Sequence, residues 1–470
     1  MAIPYMLLAP LIALVVAAVA LLALSAVLPR RRDVSATVAT FGLLIAGVGV
    51  AWGWRTPRTE FGGTATADAL AVAFGLLGLA TVLGTVLLSL PFGDAEGWEG
   101  GEYEALLLFS AAGMLVLAVA NDLLLLLIGI ELLALPLYLL AGFPRGRESA
   151  LRYFLLGVVA FATQAYGTAL VYGAVGGTAF NAVAGVAAGD GAQPLLLAGL
   201  ALVLAGLGFK LALVPFHQWA PDAYAGAPTP VLVVLAVGTK VAVVAALIRL
   251  LRVAVPQLQA FWGPTLALVA LLTVIVGSVG VLRQREMGRL IAYSGVAQIG
   301  LVVLALAAGG PTAARAALLG LVSYAAATAA LVAILAMLPR LPGGEGRTLA
   351  ALGGVPVHRG VAVALVVSLL SLGGIPPTAG FAGKLALLTA ALGGVQPWIV
   401  LVAALASVAT VAAYVRVFLA AIQPPAAPAS VRLVPSSLLG LTLLVATVVT
   451  LLVGLVPWLI GWRGNLFGGL

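Results

Sequence analysis

Cysteine is absent from the 470-residue sequence, and histidine occurs only twice, as His217 and His358. Without thiols the chain can form no disulfide bond, thiolate metal site or cysteine-ligated iron–sulfur cluster. Two histidines also offer few ligands to a metal or a haem. Charged residues make up only 8% of the chain, and the basic ones are scattered singly rather than clustered as on a nucleic-acid-binding surface. We therefore expect no cofactor on this chain and no nucleic-acid partner.

Hydrophobic residues, by contrast, make up 63% of the sequence, and the mean hydropathy is +1.22. Apolar runs of about 18 to 25 residues match the roughly 20 that a helix needs to cross the hydrocarbon of a bilayer. The pattern predicts an all-α integral membrane protein with about fourteen transmembrane helices. The first run has no positive leader and is too long for a signal-peptide core, so we expect it to remain as a crossing. The runs fall near residues 3–28, 36–53, 68–90, 104–120, 122–142, 149–173, 195–214, 230–251, 261–282, 287–308, 313–338, 360–392, 398–422 and 434–460.

Arginine is distributed unequally between the two sets of loops. With the N-terminus outside, the loops after odd-numbered crossings would hold most of the arginines, which the positive-inside rule places in the cytoplasm. We therefore predict that both termini lie on the periplasmic side of a bacterial inner membrane. The inner set is Arg30, Arg31, Arg32, Arg145, Arg147, Arg152, Arg283, Arg285, Arg289, Arg340, Arg347, Arg359 and Arg432, and the outer set is Arg55, Arg58, Arg249, Arg252, Arg315 and Arg463.

Two of the predicted crossings, the seventh and the twelfth, are broken within their apolar pattern. Pro215 interrupts the seventh, and Pro376 and Pro377 interrupt the twelfth. A proline lacks the backbone N–H that closes a helix, and irregular backbone at membrane depth survives only inside protein or beside water. Breaks five crossings apart are typical of an inverted five-helix repeat. We predict an N-terminal three-helix region at 1–100, repeats at 101–255 and 256–425, and a C-terminal helix at 426–470.

The chain has only three lysines, Lys210, Lys240 and Lys384, and all three lie inside apolar segments. A charge at the centre of a bilayer costs on the order of 2.5–3.5 kcal/mol, so these positions require an explanation. An amine can release its proton when it is buried, whereas a guanidinium stays charged. Snorkelling to the headgroups is the competing interpretation, but Lys240 lies about 15 Å from either end of its segment. The pattern favours proton transfer through the lysines.

Glu131 is the one acidic residue far from the ends of an apolar segment, and its expected partner is Lys210. Forming and breaking such a pair would load and unload a proton, although a purely structural ion pair is the alternative. His217, beside the first break, could relay protons between Lys210 and Lys240 or be a satisfied polar group. Another polar set could hold a water chain on the tenth crossing or join helices by hydrogen bonds. That set is Tyr293, Ser294 and Gln298.

Five stretches resemble the antiporter-like membrane subunits of respiratory complex I, the NADH:quinone oxidoreductase. The most distinctive are GFKLALVPFHQWAPD, beginning at Gly208, and GIPPTAGFAGK, which ends at Lys384. The other three are similar to the family over Ser110–Pro136, Ser149–Gly173 and Leu290–Gly300. Among those subunits, the length of the chain and the LVYG run favour subunit N. One position departs from the family, which often has a histidine where this chain has Gln298.

The resemblance implies that Glu131 and Lys210 form an acid–lysine pair, that Lys240 connects the two halves, and that Lys384 lies near the outer half-channel. It further implies partners among the other membrane subunits of complex I, including neighbouring antiporter-like subunits, with NADH, FMN, iron–sulfur clusters and quinone bound on other subunits. We therefore predict a translocase subunit that moves protons from cytoplasm to periplasm. A Na⁺/H⁺ antiporter subunit and a scaffold without transport are the alternatives.

Overall fold

The computed structural model describes residues 5–27, 32–96, 98, 101–143, 146–189, 194–338, 347–352, 358–423 and 436–459. In the hydrocarbon region each backbone N–H and C=O must find a partner within the protein, so the apolar runs fold as helices. The helices are α1 (Tyr5–Val27), α2 (Arg32–Gly53), α3 (Ala69–Glu96), α4 (Glu102–Val119), α5 (Leu123–Leu140), α6 (Arg147–Val175), α7 (Phe180–Ala187), α8 (Pro194–Leu211), α9 (Trp219–Gly226), α10 (Val231–Ala254), α11 (Gln259–Arg283), α12 (Met287–Ala307), α13 (Gly310–Met337), α14 (Leu349–Leu352), α15 (Arg359–Gly373), α16 (Ala379–Ala391), α17 (Pro397–Ile422) and α18 (Ser437–Leu459).

The predicted fourteen crossings are confirmed within the described residues. Thirteen helices are long and apolar enough to span a bilayer, and the two shorter helices α15 and α16 together form the twelfth crossing. The seventh crossing is interrupted as expected, because α8 ends at Leu211 and the chain resumes as α9 at Trp219. The protein is therefore a multi-pass membrane protein with two broken helices. The only described strands are β1 (Arg58–Glu60) and β2 (Ala65–Ala67), an antiparallel hairpin between α2 and α3.

The helices differ greatly in how deeply they are buried. The most apolar part of α10 is 100% buried and that of α12 is 94% buried, whereas only 28% of the most apolar part of α6 is buried. The last helix, α18, packs against α13, α16 and α3. The centre of the molecule is thus built around α10 and α12, while α6 presents most of its surface to lipid or to a neighbouring protein.

Two of the arginines assigned to loops from the sequence are instead buried within helices. Arg249 is only 4% exposed within α10, where its guanidinium makes two hydrogen bonds, of 2.9 and 2.8 Å, to Asp68. Arg32 is the first residue of α2 and pairs with the buried Glu104 at 3.3 Å. The loop assignment was wrong because each apolar segment extends further than its hydropathy suggests once a carboxylate compensates the charge. Arg30, Arg31, Arg145, Arg340, Arg432 and Arg463 lie outside the described residues.

Candidate functional site

The first broken crossing places Lys210 in the last turn of α8. Pro215 has no N–H to continue the helix, and the chain turns through Ala212, which has a left-handed backbone (φ 58°). The N–H groups of Ala212 and Leu213 return to the carbonyls of Phe209 and Gly208 and close the helix end. The next free N–H, of Val214, donates to the Thr273 hydroxyl of α11 at 3.0 Å. The break therefore fixes Lys210 inside the protein rather than at a membrane surface.

The Lys210 ammonium lies between two aromatic rings and is only 2% exposed. It donates to the Tyr153 hydroxyl at 2.9 Å and lies 4.7 and 4.9 Å from the ring centroids of Tyr138 and Tyr153. Such cation–π contacts favour a positive charge at this position. Glu131 interacts electrostatically with Lys210, but within the described chain its carboxylate makes no ion pair or hydrogen bond. The direct contacts of Lys210 are aromatic rings and a neutral hydroxyl.

Lys240 lies on α10, the most deeply buried crossing, and is also 2% exposed. Its ammonium donates to the Tyr224 hydroxyl at 3.2 Å, and that hydroxyl donates in turn to the carbonyl of Leu235 at 2.7 Å. Two π-helical segments, Val234–Gly238 and Leu250–Ala254, flank the α-helical stretch that carries Lys240. Snorkelling is excluded for this lysine by its contact with a buried phenol in the centre of the bundle.

Lys384 lies on α16 just after the second break and is partly buried. Its ammonium donates to the carbonyl of Gly373 at 3.0 Å. In a continuous helix that carbonyl would bond the N–H of residue 377, but Pro377 has none. Lys384 thus donates to a carbonyl that the break leaves without its usual helical partner. The two breaks are not equivalent, because Lys210 precedes its break and Lys384 follows its own.

The remaining predicted site residues are distributed around α12. His217 is half-buried, its ring lies 6.3 Å from that of Tyr293, and its Nδ1 has no hydrogen-bond partner among the described residues. Ser294 shares a 2.7 Å hydrogen bond with the hydroxyl of Tyr414, and Gln298 reaches the Gly320 carbonyl at 3.4 Å. His217 and Tyr293 are therefore on one side of α12 near the first break, and the other two residues face α17 and α13.

The sequence analysis missed the aromatic residues between the lysines. Trp219 stacks on Tyr153 with ring centroids 4.3 Å apart, and the centroid of Tyr224 lies 6.2 Å from that of Trp219. Lys210 and Lys240 thus contact the hydroxyls of two tyrosines whose rings both lie beside the Trp219 indole. Trp219 belongs to the distinctive stretch that begins at Gly208, and Tyr224 follows its end by two residues, which was the available clue. Arg416, inside the apolar run of α17, was also overlooked, and it donates to the Val281 carbonyl at 3.3 Å.

Residues assigned structural roles hold the surrounding frame. Asp122 caps α5 by accepting from the N–H groups of Leu124 and Leu125. Asp222 joins Arg152 and Arg289 at 3.1 and 3.0 Å in an exposed cluster that ties α9 to α6 and α12. No group of three metal-ligating side chains occurs in the part of the chain that the structure describes. The site is therefore defined by amines, hydroxyls and one carboxylate at membrane depth, which together can hold and pass protons.

These features define a class of protein: a multi-pass membrane protein with two broken helices and lysines in its interior. The family model described as "NADH:quinone oxidoreductase/Mrp antiporter, TM" matches residues 120–410, and the chain belongs to this family. The resemblance inferred from the motifs is thereby confirmed.

Individual relatives support the same family assignment. NADH-quinone oxidoreductase subunit N of Chloroflexus aggregans is 38% identical over 314 residues, which is 65% of this chain and 64% of that protein. The chain thus matches slightly less than two thirds of the length of the curated subunits N. A chain of respiratory complex I from Thermus thermophilus is 35% identical, with a TM-score of 0.81 over 96% of this chain and 98% of that one. A chain of the Mrp complex from Dietzia sp. shares the fold, with a TM-score of 0.82 over 99% of this chain and 97% of that one, at 23% identity.

Proposed function

We propose that this chain is a proton-translocating subunit of an NADH:quinone oxidoreductase and moves protons from cytoplasm to periplasm. Glu131 and Lys210 would load the proton, with His217 at the first break, Lys240 would carry it across the centre, and Lys384 would release it. Quinone reduction by NADH elsewhere in the complex would supply the energy. NADH, FMN, the iron–sulfur clusters and quinone would then be bound by other subunits, and neighbouring antiporter-like subunits would be the partners.

One observation supports the proposal: all three lysines lie within the helices of the crossings, and each donates to a neutral oxygen. The acceptors are the hydroxyls of Tyr153 and Tyr224 and the carbonyl of Gly373. Burying three amines costs on the order of several kcal/mol in a bilayer, which a merely structural scaffold has no reason to retain. A neutral acceptor tolerates both the ammonium and the amine, because each still has an N–H to donate. The arrangement suits a group that changes its protonation state.

An inverted repeat is the organisation that we propose for residues 101–255 and 256–425. In each range the fourth of five crossings is the broken one. The junction falls between α10 and α11, and α1–α3 and α18 lie outside the repeats. We further propose a bacterial inner membrane with both termini on the periplasmic side, although residues 1–4 and 460–470 are outside the described structure.

The test is reconstitution of the assembled complex with Lys240→Ala or Glu131→Ala. We expect NADH-driven proton uptake into vesicles to fall about tenfold or more, the effect of a barrier raised by about 1.4 kcal/mol. Glu148→Ala is the matched control, since Glu148 is an exposed carboxylate on α6. If both interior variants assemble, oxidise NADH and pump at the wild-type proton-to-electron ratio, the relay is wrong.

The Na⁺/H⁺ antiporter alternative makes a different prediction. Sodium prefers oxygen ligands, and around the two breaks the predicted site offers one carboxylate, Glu131, against three amines. Replacing sodium by choline in the same vesicles should leave proton uptake unchanged. A loss of uptake in choline that sodium restores would favour the antiporter.

A further inference from the structure

Gly295 of α12 leaves an open approach between Lys240 and a tyrosine of α13. A Cβ built at this glycine would lie 3.2 Å from Lys240 Nζ and 2.7 Å from the hydroxyl of Tyr324. The amine and the phenol oxygen are therefore at most about 6 Å apart, a gap that a single water can bridge. Any larger residue at 295 would occupy the space between them.

The Tyr324 hydroxyl has a hydrogen free to donate, whereas the Tyr224 hydroxyl already donates its own. Tyr224 accepts from Lys240 but gives its own hydrogen to the carbonyl of Leu235. Tyr324 is 4% exposed, and within the described residues its hydroxyl has no hydrogen-bond partner. The hydroxyl of Thr328, one turn later on α13, interacts with it but lies beyond hydrogen-bonding distance. A buried hydroxyl without a partner is destabilising, and a bridging water would satisfy it.

A second pair of hydroxyls, on Tyr414 and Ser294, lies near Tyr324. Tyr414 of α17 is 4% exposed, lies within electrostatic range of Tyr324, and shares a 2.7 Å hydrogen bond with Ser294. Gln298 follows Ser294 by one turn of α12 and contacts the Gly320 carbonyl of α13. Helices α12 and α13 both pack against α16, which carries Lys384. Oxygen atoms thus extend from the surroundings of Lys240 towards the second broken crossing.

We propose that the hydroxyls of Tyr324, Tyr414 and Ser294 carry the proton from Lys240 past α12 towards Lys384, an inference that rests on the proposed function. The Lys240 N–H bond breaks as an O–H bond forms on the bridging water or on Tyr324. Each oxygen passes on one hydrogen as it gains one, so the phenols stay neutral and one proton moves. An amide such as Gln298 is a poor proton carrier, and the hydroxyls supply the step that a titratable side chain on α12 would otherwise perform.

Tyr324→Phe and Tyr414→Phe test the proposal because each removes one oxygen and keeps the ring. In the reconstituted complex we expect NADH-driven proton uptake to fall about tenfold, with Tm unchanged within a few degrees. Tyr324→His, which restores a group that accepts and donates protons, should recover part of the uptake. Tyr166→Phe is the control, since Tyr166 is 62% exposed on the outer face of α6.

The outcomes separate this inference from the proposed function. If Lys240→Ala stops proton uptake and both phenylalanine variants pump like wild type, the hydroxyl path is overturned and the lysine relay stands. If Lys240→Ala also pumps like wild type, the proposed function itself fails. Equal losses in Tyr324→Phe and Tyr324→His, with an equally lowered Tm, would show that Tyr324 has a packing role and would refute the path.

Discussion

At the scale of single residues, buried lysines and buried arginines have different partners. The three lysines donate to neutral oxygens, whereas the buried guanidiniums of Arg32 and Arg249 pair with Glu104 and Asp68. A guanidinium never loses its charge, so a carboxylate is the partner that compensates it permanently. An amine that must be both charged and neutral is better held by a hydroxyl or a carbonyl. The two buried arginines thus form permanent ion pairs, whereas the lysines have partners that are compatible with titration.

The Arg32–Glu104 pair should behave as a permanent structural link. Both side chains are almost fully buried, so Arg32→Met alone would leave an uncompensated carboxylate and destabilise the protein by about 3–5 kcal/mol. The double variant Arg32→Met/Glu104→Leu should recover most of the loss, because a buried ion pair can be replaced by apolar packing. Thermal unfolding of the purified complex gives the measurement. A double variant no more stable than Arg32→Met would contradict the pairing.

At the scale of helices, the second break is shaped by one glycine. Gly374 has a left-handed backbone (φ 77°), and a Cβ there would lie 2.6 Å from Lys384 Cδ and 3.2 Å from its Nζ. Gly374 thus allows the left-handed turn after α15, and it leaves room for the Lys384 side chain to cross the end of that helix. Lys384 can reach the Gly373 carbonyl only because position 374 has no side chain.

Gly374→Ala should therefore act on Lys384 as well as on the turn. We expect a loss of stability of about 1–2 kcal/mol from the left-handed alanine, together with weaker proton uptake because Lys384 is displaced from the carbonyl. Gly360→Ala is the control on the same helix, since a Cβ at Gly360 meets nothing within 4 Å. Wild-type proton uptake in a folded Gly374→Ala complex would show that the Lys384 contact is dispensable.

Local chemistry explains which of these elements could be predicted from the sequence. Apolar length sets the crossings, and Pro215 and Pro377 set the breaks, because each acts on its own stretch of backbone. The partners of the buried lysines and arginines depend on packing. Tyr153 and Lys210 are 57 residues apart in the sequence, and Asp68 and Arg249 are 181 residues apart. No local pattern encodes such contacts, so the tyrosines were missed and Arg249 was assigned to a loop. The Asp122 cap is by contrast a local contact, because its acceptors' partners lie two and three residues further along the chain.

At the scale of the whole molecule, the orientation that we propose in the membrane rests on the distribution of arginine. The exposed cluster of Arg152, Arg289 and Asp222 lies at one end of the bundle, and the β1–β2 hairpin lies at the other end of the crossings. The positive-inside rule places the arginine-rich end in the cytoplasm.

The absence of cysteine makes this orientation directly testable, because one introduced thiol is then the only thiol on the chain. Thr59→Cys in the exposed hairpin should react with a membrane-impermeant maleimide added to intact spheroplasts. Glu148→Cys, whose native side chain is 79% exposed, should react only after permeabilisation or in inverted vesicles. The unsubstituted chain is the control and should not be labelled. The reverse pattern would invert the topology and require protons to enter the lysine row from the opposite side, since both breaks and all three lysines are fixed relative to these two positions.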